Sequence, residues 1–228
     1  PDLSWAVVGA GGSDNDYSRC IRTDKDGNVL VLGHFRGTSD FDPGPGYYGL
    51  TAPGGTVWNV FVTKLDPAGN LLWVKSIGGT DGEFSYSLAT DAAGDIYVAG
   101  IFYGTTDLDP GTAAANFVSS GGADIFILKL DGSGNFVWAK TIGGAGTELA
   151  FSIEADAAGN VFFMGSFDGT ADFDPSAGVF DLTAAGGFAD VYVCKLDAAG
   201  NFSWAVQMDG TGLLNGYGGI GLDAAGNV

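Results

Sequence analysis

The sequence predicts an all-β fold of small antiparallel sheets, repeated along the chain and packed face to face. Three observations carry this. Trp5, Trp73, Trp138 and Trp204 recur at intervals of 68, 65 and 66 residues, and whole segments travel with them. A turn of the form Asp-x-x-Gly recurs at Asp24 and Gly27, Asp91 and Gly94, Asp156 and Gly159, and Asp223 and Gly226. A second set stands at Asp66 and Gly69, Asp131 and Gly134, and Asp197 and Gly200. Helical periodicity is absent, and 40 glycines in 228 residues are too many for long helices. The register gives three full repeats of about 66 residues and part of a fourth.

Each repeat carries four strand-like runs, which in the second fall near residues 84–90, 96–102, 124–130 and 136–142. The D-A-A-G-N joining the first two suits a hairpin, because aspartate bonds the backbone two residues on and glycine takes the left-handed position. Gly27, Gly94, Gly159 and Gly226 are therefore expected to be structural. Lys-Leu precedes the second turn at 64–65, 129–130 and 195–196. The runs V-L-V-L at 29–32 and I-F-I-L at 125–128 are apolar on both faces and must be covered on both. One small sheet per repeat, fanned about an axis with its neighbours as cover, is a β-propeller. A β-helix has a shorter period, and separate small sheets would expose too much apolar surface.

In this arrangement the strand that carries the tryptophan lies outermost, and G-G-T-D-G-E at 78–83 crosses to the next blade's inner strand. The expected units are an outer strand of an incomplete blade at 1–10, blades at 16–77, 83–142 and 148–208, and the start of another at 215–228. A further inner strand is expected near 218–222. The broken blade is completed either by missing chain or by another chain. Pro1 is preceded by no methionine or apolar leader, so a piece of a larger ring is expected. The four tryptophans are expected to pack between adjacent blades, where their indole N–H groups need partners.

Nine basic residues against 27 acidic ones give a formal charge of −18, which excludes a basic groove for nucleic acid. No apolar stretch has the length of a membrane helix, so membrane insertion is not expected. Only Glu83, Glu148 and Glu154 are glutamates, and this excess of aspartate points to turns, to calcium, or to both. Cys20 and Cys194 occupy non-equivalent repeat positions and form no disulfide framework.

The segments W-A-K-T-I-G-G (138–144), D-A-A-G-N-V (156–161), F-x-G-T-A-D-F-D-P (167–175) and G-G-F-A-D-V-Y-V-C-K-L-D-A-A-G-N (186–201) resemble the bacterial SBBP repeats, named for seven-bladed β-propellers. The likeness covers essentially the whole chain. It implies a secreted or cell-surface bacterial protein, one module of a larger whole, and no single activity.

Candidate sites follow from what repeats. The loop between the second and third strands reads D-F-D-P-G from Asp40, D-L-D-P-G from Asp107 and D-F-D-P-S from Asp172. Residues two apart in an extended stretch point the same way, so Asp40 with Asp42, Asp107 with Asp109, and Asp172 with Asp174 bring carboxylates together. Either these pairs and nearby carbonyls hold Ca2+, or the aspartates cap their own turn over Phe41 or Phe173 as a buried plug. No other cofactor is indicated. An acidic position before each inner strand (Asp16, Glu83, Glu148, with Asn215 as its last counterpart) either binds a cation or sugar, or satisfies crossing-loop amides.

The lone His34 leaves transition-metal sites and histidine-based triads without parts. Acids repeated blade after blade are unlike a catalytic pair, so an enzyme is not expected. The spacing from Asp66 to Trp73 also resembles the tryptophan-docking motif of quinoprotein dehydrogenases, but Ala68 stands where that motif has threonine. Three functions follow as expectations: a non-enzymatic surface scaffold for adhesion or assembly, a lectin or carbohydrate-active enzyme using Tyr47, Tyr48 and Trp58, or a calcium-stabilised repeat. The expected partner is a protein or glycan at the cell surface.

Overall fold

The protein is described by a computed structural model over residues 11–12, 14–53, 57–185, 187–208, 218–223 and 226–228. The described residues contain strands and turns and no helix. β1 (Gly11–Gly12) precedes the first full repeat, which holds β2 (Asp16–Thr23), β3 (Val29–Phe35), β4 (Thr38–Asp40), β5 (Gly49–Thr51), β6 (Asn59–Leu65) and β7 (Leu71–Gly79). The second holds β8 (Glu83–Thr90), β9 (Ile96–Phe102), β10 (Thr105–Asp107), β11 (Asn116–Val118), β12 (Asp124–Leu130) and β13 (Phe136–Gly144). The third holds β14 (Glu148–Ala155), β15 (Val161–Phe167), β16 (Thr170–Asp172), β17 (Asp181–Thr183), β18 (Asp190–Leu196) and β19 (Phe202–Met208).

Four antiparallel strands per repeat lie in chain order, β2-β3-β6-β7, β8-β9-β12-β13 and β14-β15-β18-β19. Their Asp-x-x-Gly turns close as the residue chemistry requires. In the first, Asp24 Oδ1 accepts the amides of Asp26 and Asn28 at 2.9 Å, while Asn28 Nδ2 donates to Oδ2. Gly27 sits at φ 79°, the left-handed region that glycine enters without steric penalty. The same set of bonds repeats at Asp66, Asp131, Asp156 and Asp197.

Each connection between second and third strands contains a short hairpin that the sequence alone does not announce. It pairs with the outer strand of the preceding repeat: Asp107 opposite Gly78, Thr106 opposite Gly79, and equally Asp172 opposite Gly143. Two of the four-stranded sheets thereby become six-stranded, continuing into β10-β11 and β16-β17. The glycine pair is what permits this, since a Cβ at Gly79 would stand 2.8 Å from Thr106 Cα and closer still to the Thr105 carbonyl.

Stacking advances by one repeat at a time. Cys20 Sγ points at Leu88 O (3.8 Å), Ser87 Oγ accepts Ile153 N (3.3 Å), and Ser152 Oγ accepts Ile220 N (3.1 Å). Strands β6, β9 and β12 are consequently buried along their whole length, which is the outcome demanded by apolar residues on both faces. The contrast at the first sheet shows the same rule: Ile21 is 62% exposed, whereas its counterparts Leu88 and Ile153 are fully buried by the sheet before them.

One expectation is corrected. Residues 218–223 form no strand, although Ile220 bonds the neighbouring sheet as an inner strand would. No described strand lies beside them to complete a ladder. The expected outer strand at 3–8, Trp5 and Asn215 lie outside the described residues.

Candidate functional site

The paired aspartates of the D-x-D loops are occupied by their own backbone. Asp40 Oδ1 accepts the amides of Asp42 (3.0 Å) and Tyr48 (2.8 Å), and Asp42 Oδ1 accepts that of Gly44 (2.8 Å). Asp107 and Asp109 repeat this with Asp109, Ala115 and Gly111, and Asp172 and Asp174 with Asp174, Phe180 and Ser176. Phe41, Leu108 and Phe173 between them are fully buried, Phe41 meeting Phe61 at 4.9 Å and Phe173 meeting Tyr192 at 4.8 Å between ring centres. Among the described residues no group of three or more His, Cys, Asp or Glu side chains is disposed to hold a metal ion.

The acids that open the inner strands sit deep between repeats. Glu83 and Glu148 are fully buried; Glu83 Oε1 accepts Gly79 N at 2.8 Å and Glu148 Oε2 accepts Gly144 N at 3.0 Å. Their other oxygens have no hydrogen-bond partner, and neither do Asn59 Oδ1 and Asp124 Oδ1. Burial pushes Glu83 up to about 7, and burial with Asp124 and Asp168 nearby pushes Glu148 up to about 8. Asp124 is raised as well, by the same burial. Asp16, at the first inner strand, instead accepts Ser39 Oγ at 2.8 Å. These carboxyls tie the glycine pairs of one repeat to the next.

The tryptophans sit at the sheet junctions. A Cβ at Gly134 would meet the Trp73 ring at 3.3 Å, one at Gly200 would meet the Trp138 ring at 3.2 Å, and Trp138 Nε1 donates to Ala198 O at 3.2 Å. Trp204 lies beside Phe162, 6.2 Å between ring centres, and lines an open cleft with Lys195 and residues 226–228. Gly94, Gly159 and Gly226 carry φ values of 93°, 81° and 79°.

A further cluster was not singled out by repeat logic because it does not repeat. Tyr17, His34, Trp58 and Phe84 pack ring to ring, with His34 5.1 Å from Trp58 and 5.3 Å from Phe84. Arg36 lies 5.1 Å over Trp58, and Arg19 lies 5.8 Å over Tyr17. His34 is buried, its Nδ1 3.5 Å from Ser85 Oγ, and burial followed by the Arg19 charge pushes it down to about 4, so it is neutral at pH 7. Tyr47 and Tyr48, 72% and 47% exposed, stand apart on the first D-x-D loop. The first strands of the three repeats also meet: Tyr86 lies 5.7 Å from Phe151 between ring centres, and Arg22 reaches Glu154 at 3.4 Å across two repeats.

No family model matches the chain. It is 24% identical to an uncharacterized WD repeat-containing protein of Acanthamoeba polyphaga mimivirus, over 92% of its own length and 17% of that protein's. It is 30% identical to the regulatory protein FlaEY of Caulobacter vibrioides over 53% of its own length and 13% of that protein's. The chain thus spans less than a fifth of either relative. A WD-repeat likeness across nearly the whole chain accords with a propeller-like repeat fold.

Proposed function

We propose that this chain is part of a β-propeller of the SBBP kind and serves as a non-enzymatic scaffold that holds partners through its loops. The observation carrying this reading is the constant step of the inter-sheet bonds, Cys20 to Leu88, Ser87 to Ile153 and Ser152 to Ile220, each one repeat apart. In this reading a fixed step between twisted sheets would turn them about a common centre, and the contact of Arg22 with Glu154, two repeats apart, supports it. WD repeats build propellers, and the resemblance to a WD repeat-containing protein supports a protein-interaction scaffold. The rigid stack of buried strands would position loops for a protein or glycan partner at a bacterial cell surface, in adhesion or assembly.

Imaging of the full-length protein tests the architecture: a ring of blades is expected, and sheets in an open file would overturn it. Protease treatment of intact producing cells tests the location, with removal of the protein from the surface expected and complete protection counting against it. In this reading the D-x-D loops are self-capped turns, so excess chelator is expected to leave the melting midpoint unchanged. A fall of several degrees would instead favour a native-state calcium ligand.

A further inference from the structure

We propose that Asp124 and Glu148 share a single proton, and that this proton is the latch of the seam between the second and third repeats. The latch does not rest on the scaffold reading.

The seam is the line along which the third repeat meets the second. Glu148 N donates to Ala123 O and Gly122 N to Gly146 O, each at 2.8 Å. The β16 hairpin adds Asp172 opposite Gly143 and Ala171 opposite Gly144. Both acids lie inside this seam, Asp124 2% exposed and Glu148 fully buried. Each gives one oxygen to a backbone amide: Asp124 Oδ2 accepts Ser120 N at 2.9 Å, and Glu148 Oε2 accepts Gly144 N at 3.0 Å. The other oxygen of each, Asp124 Oδ1 and Glu148 Oε1, is buried without a partner. The glycine pair sets them side by side, since Glu148 holds the Gly144 amide and a Cβ at Gly143 would stand 2.6 Å from Asp124 Oδ1.

Two ionised carboxylates offer acceptors only, and at close quarters they repel. No ion pair among the described residues includes either acid. The titratable groups around the pair are Asp168 beyond β15, Asp172 and Asp174, which line one cleft with Asp124, and Tyr192 on β18. None of them brings positive charge, and Tyr192 donates its hydroxyl to Leu149 O at 3.0 Å. One proton held between the two acids supplies the missing donor and removes one of the two charges.

The first seam differs at one residue. Asn59 stands where the second repeat has Asp124, and a Cβ at Gly78 would lie 2.5 Å from its Nδ2 and 2.6 Å from Glu83 Oε2. An amide keeps its N–H at every pH, whereas the Asp124 seam has a donor only while the proton stays. The folded pair binds that proton more tightly than the unfolded chain does. Its contribution is therefore present at low pH and is lost as pH rises through the pair's upper step.

Carboxyl-carbon NMR of the labelled chain, titrated in chelator, tests the sharing. Two well-separated steps are expected for the pair. Asp124→Asn should move the Glu148 step down by about one pH unit or more, and Glu148→Gln should do the same to Asp124, because coupling is reciprocal. Asn59 shows that such a seam accepts an amide, so the fold is expected to survive Asp124→Asn. Hydrogen exchange tests the latch. Protection of the Gly144 amide, corrected for the intrinsic rate, is expected to fall at least about tenfold between about pH 6 and about pH 9, and to hold in Asp124→Asn. Steps unmoved in the reciprocal variants would mean two independently buried acids and overturn the shared proton. Gly144 protection indifferent to pH would overturn the latch, and a Glu148 step displaced by millimolar calcium would assign the gap to a cation and overturn both.

Discussion

Replacing Gly100 by alanine is expected to lower the melting midpoint by roughly 10 °C, corresponding to about 3 kcal/mol for a chain of this size. Gly100 lies in β9 between the inner strand and β12, paired with Ser85 on one side and Phe126 on the other. An added methyl would stand 2.5 Å from the Phe126 ring and closer still to the Phe84 carbonyl oxygen. The ring is buried among Leu30, Leu88 and Val98 and cannot swing aside, and the carbonyl belongs to a strand fixed at its bulge. Overpacking usually costs about 1–3 kcal/mol, and backbone on one side places this case at the upper end. Gly33, beneath Phe61, and Gly165, beneath Tyr192, occupy the same place and should respond alike. Differential scanning calorimetry reads the effect, and a midpoint unchanged by Gly100→Ala would show that the sheets are not packed this closely.

Stability is expected to fall as pH rises from about 5 to about 8. Glu83 and Glu148 carry folded values of about 7 and about 8 against an ordinary 4.5, so the folded state holds more protons than the unfolded chain across that window. Their contribution is complete below pH 4.5 and is lost as pH rises through the folded values, on the order of 3 kcal/mol for Glu83 and 5 kcal/mol for Glu148. The turn aspartates act oppositely. Asp24, held at about 2 by Lys64, Asn28 and turn amides that outweigh its burial, loses its contribution only as pH falls from 3.8 toward 2. The stability maximum therefore falls at about pH 5. Protonation gives the orphaned Glu83 oxygen a hydrogen to donate, and the Asn59 amide, whose Oδ1 is also without a partner, lies with that oxygen against the same glycine, Gly78. Glu83→Gln supplies a donor at every pH and should reduce the fall above pH 5, leaving the part due to Glu148, while raising the midpoint at pH 8. A denaturation series showing rising stability from pH 5 to 8 would contradict this account.

Much of the fold was legible because it is local. The Asp-x-x-Gly turns bind their own amides within four residues, and the apolar runs at 29–32 and 125–128 demand cover on both faces wherever they lie. The sequence by itself therefore determined the repeat length, the hairpins, the strand order within each sheet and the all-β class. What it left open depended on contacts that form only once loops have folded and sheets have stacked. Spacing brings Asp40 and Asp42 together, but only the folded loop shows their Oδ1 atoms taken up by Tyr48 and Gly44 amides. The β10 and β16 hairpins lie along the preceding repeat's glycine pair, a contact that exists only after sheets stack. Burial of Glu83 and Glu148, and hence their proton affinity, arises from the same stacking. The ring cluster of Tyr17, Trp58 and Phe84 draws on three strands' ends and two repeats, so no window of sequence contains it. Turns close on their neighbours and can be read along the chain; sites form where sheets face one another, and that was decided by tertiary packing alone.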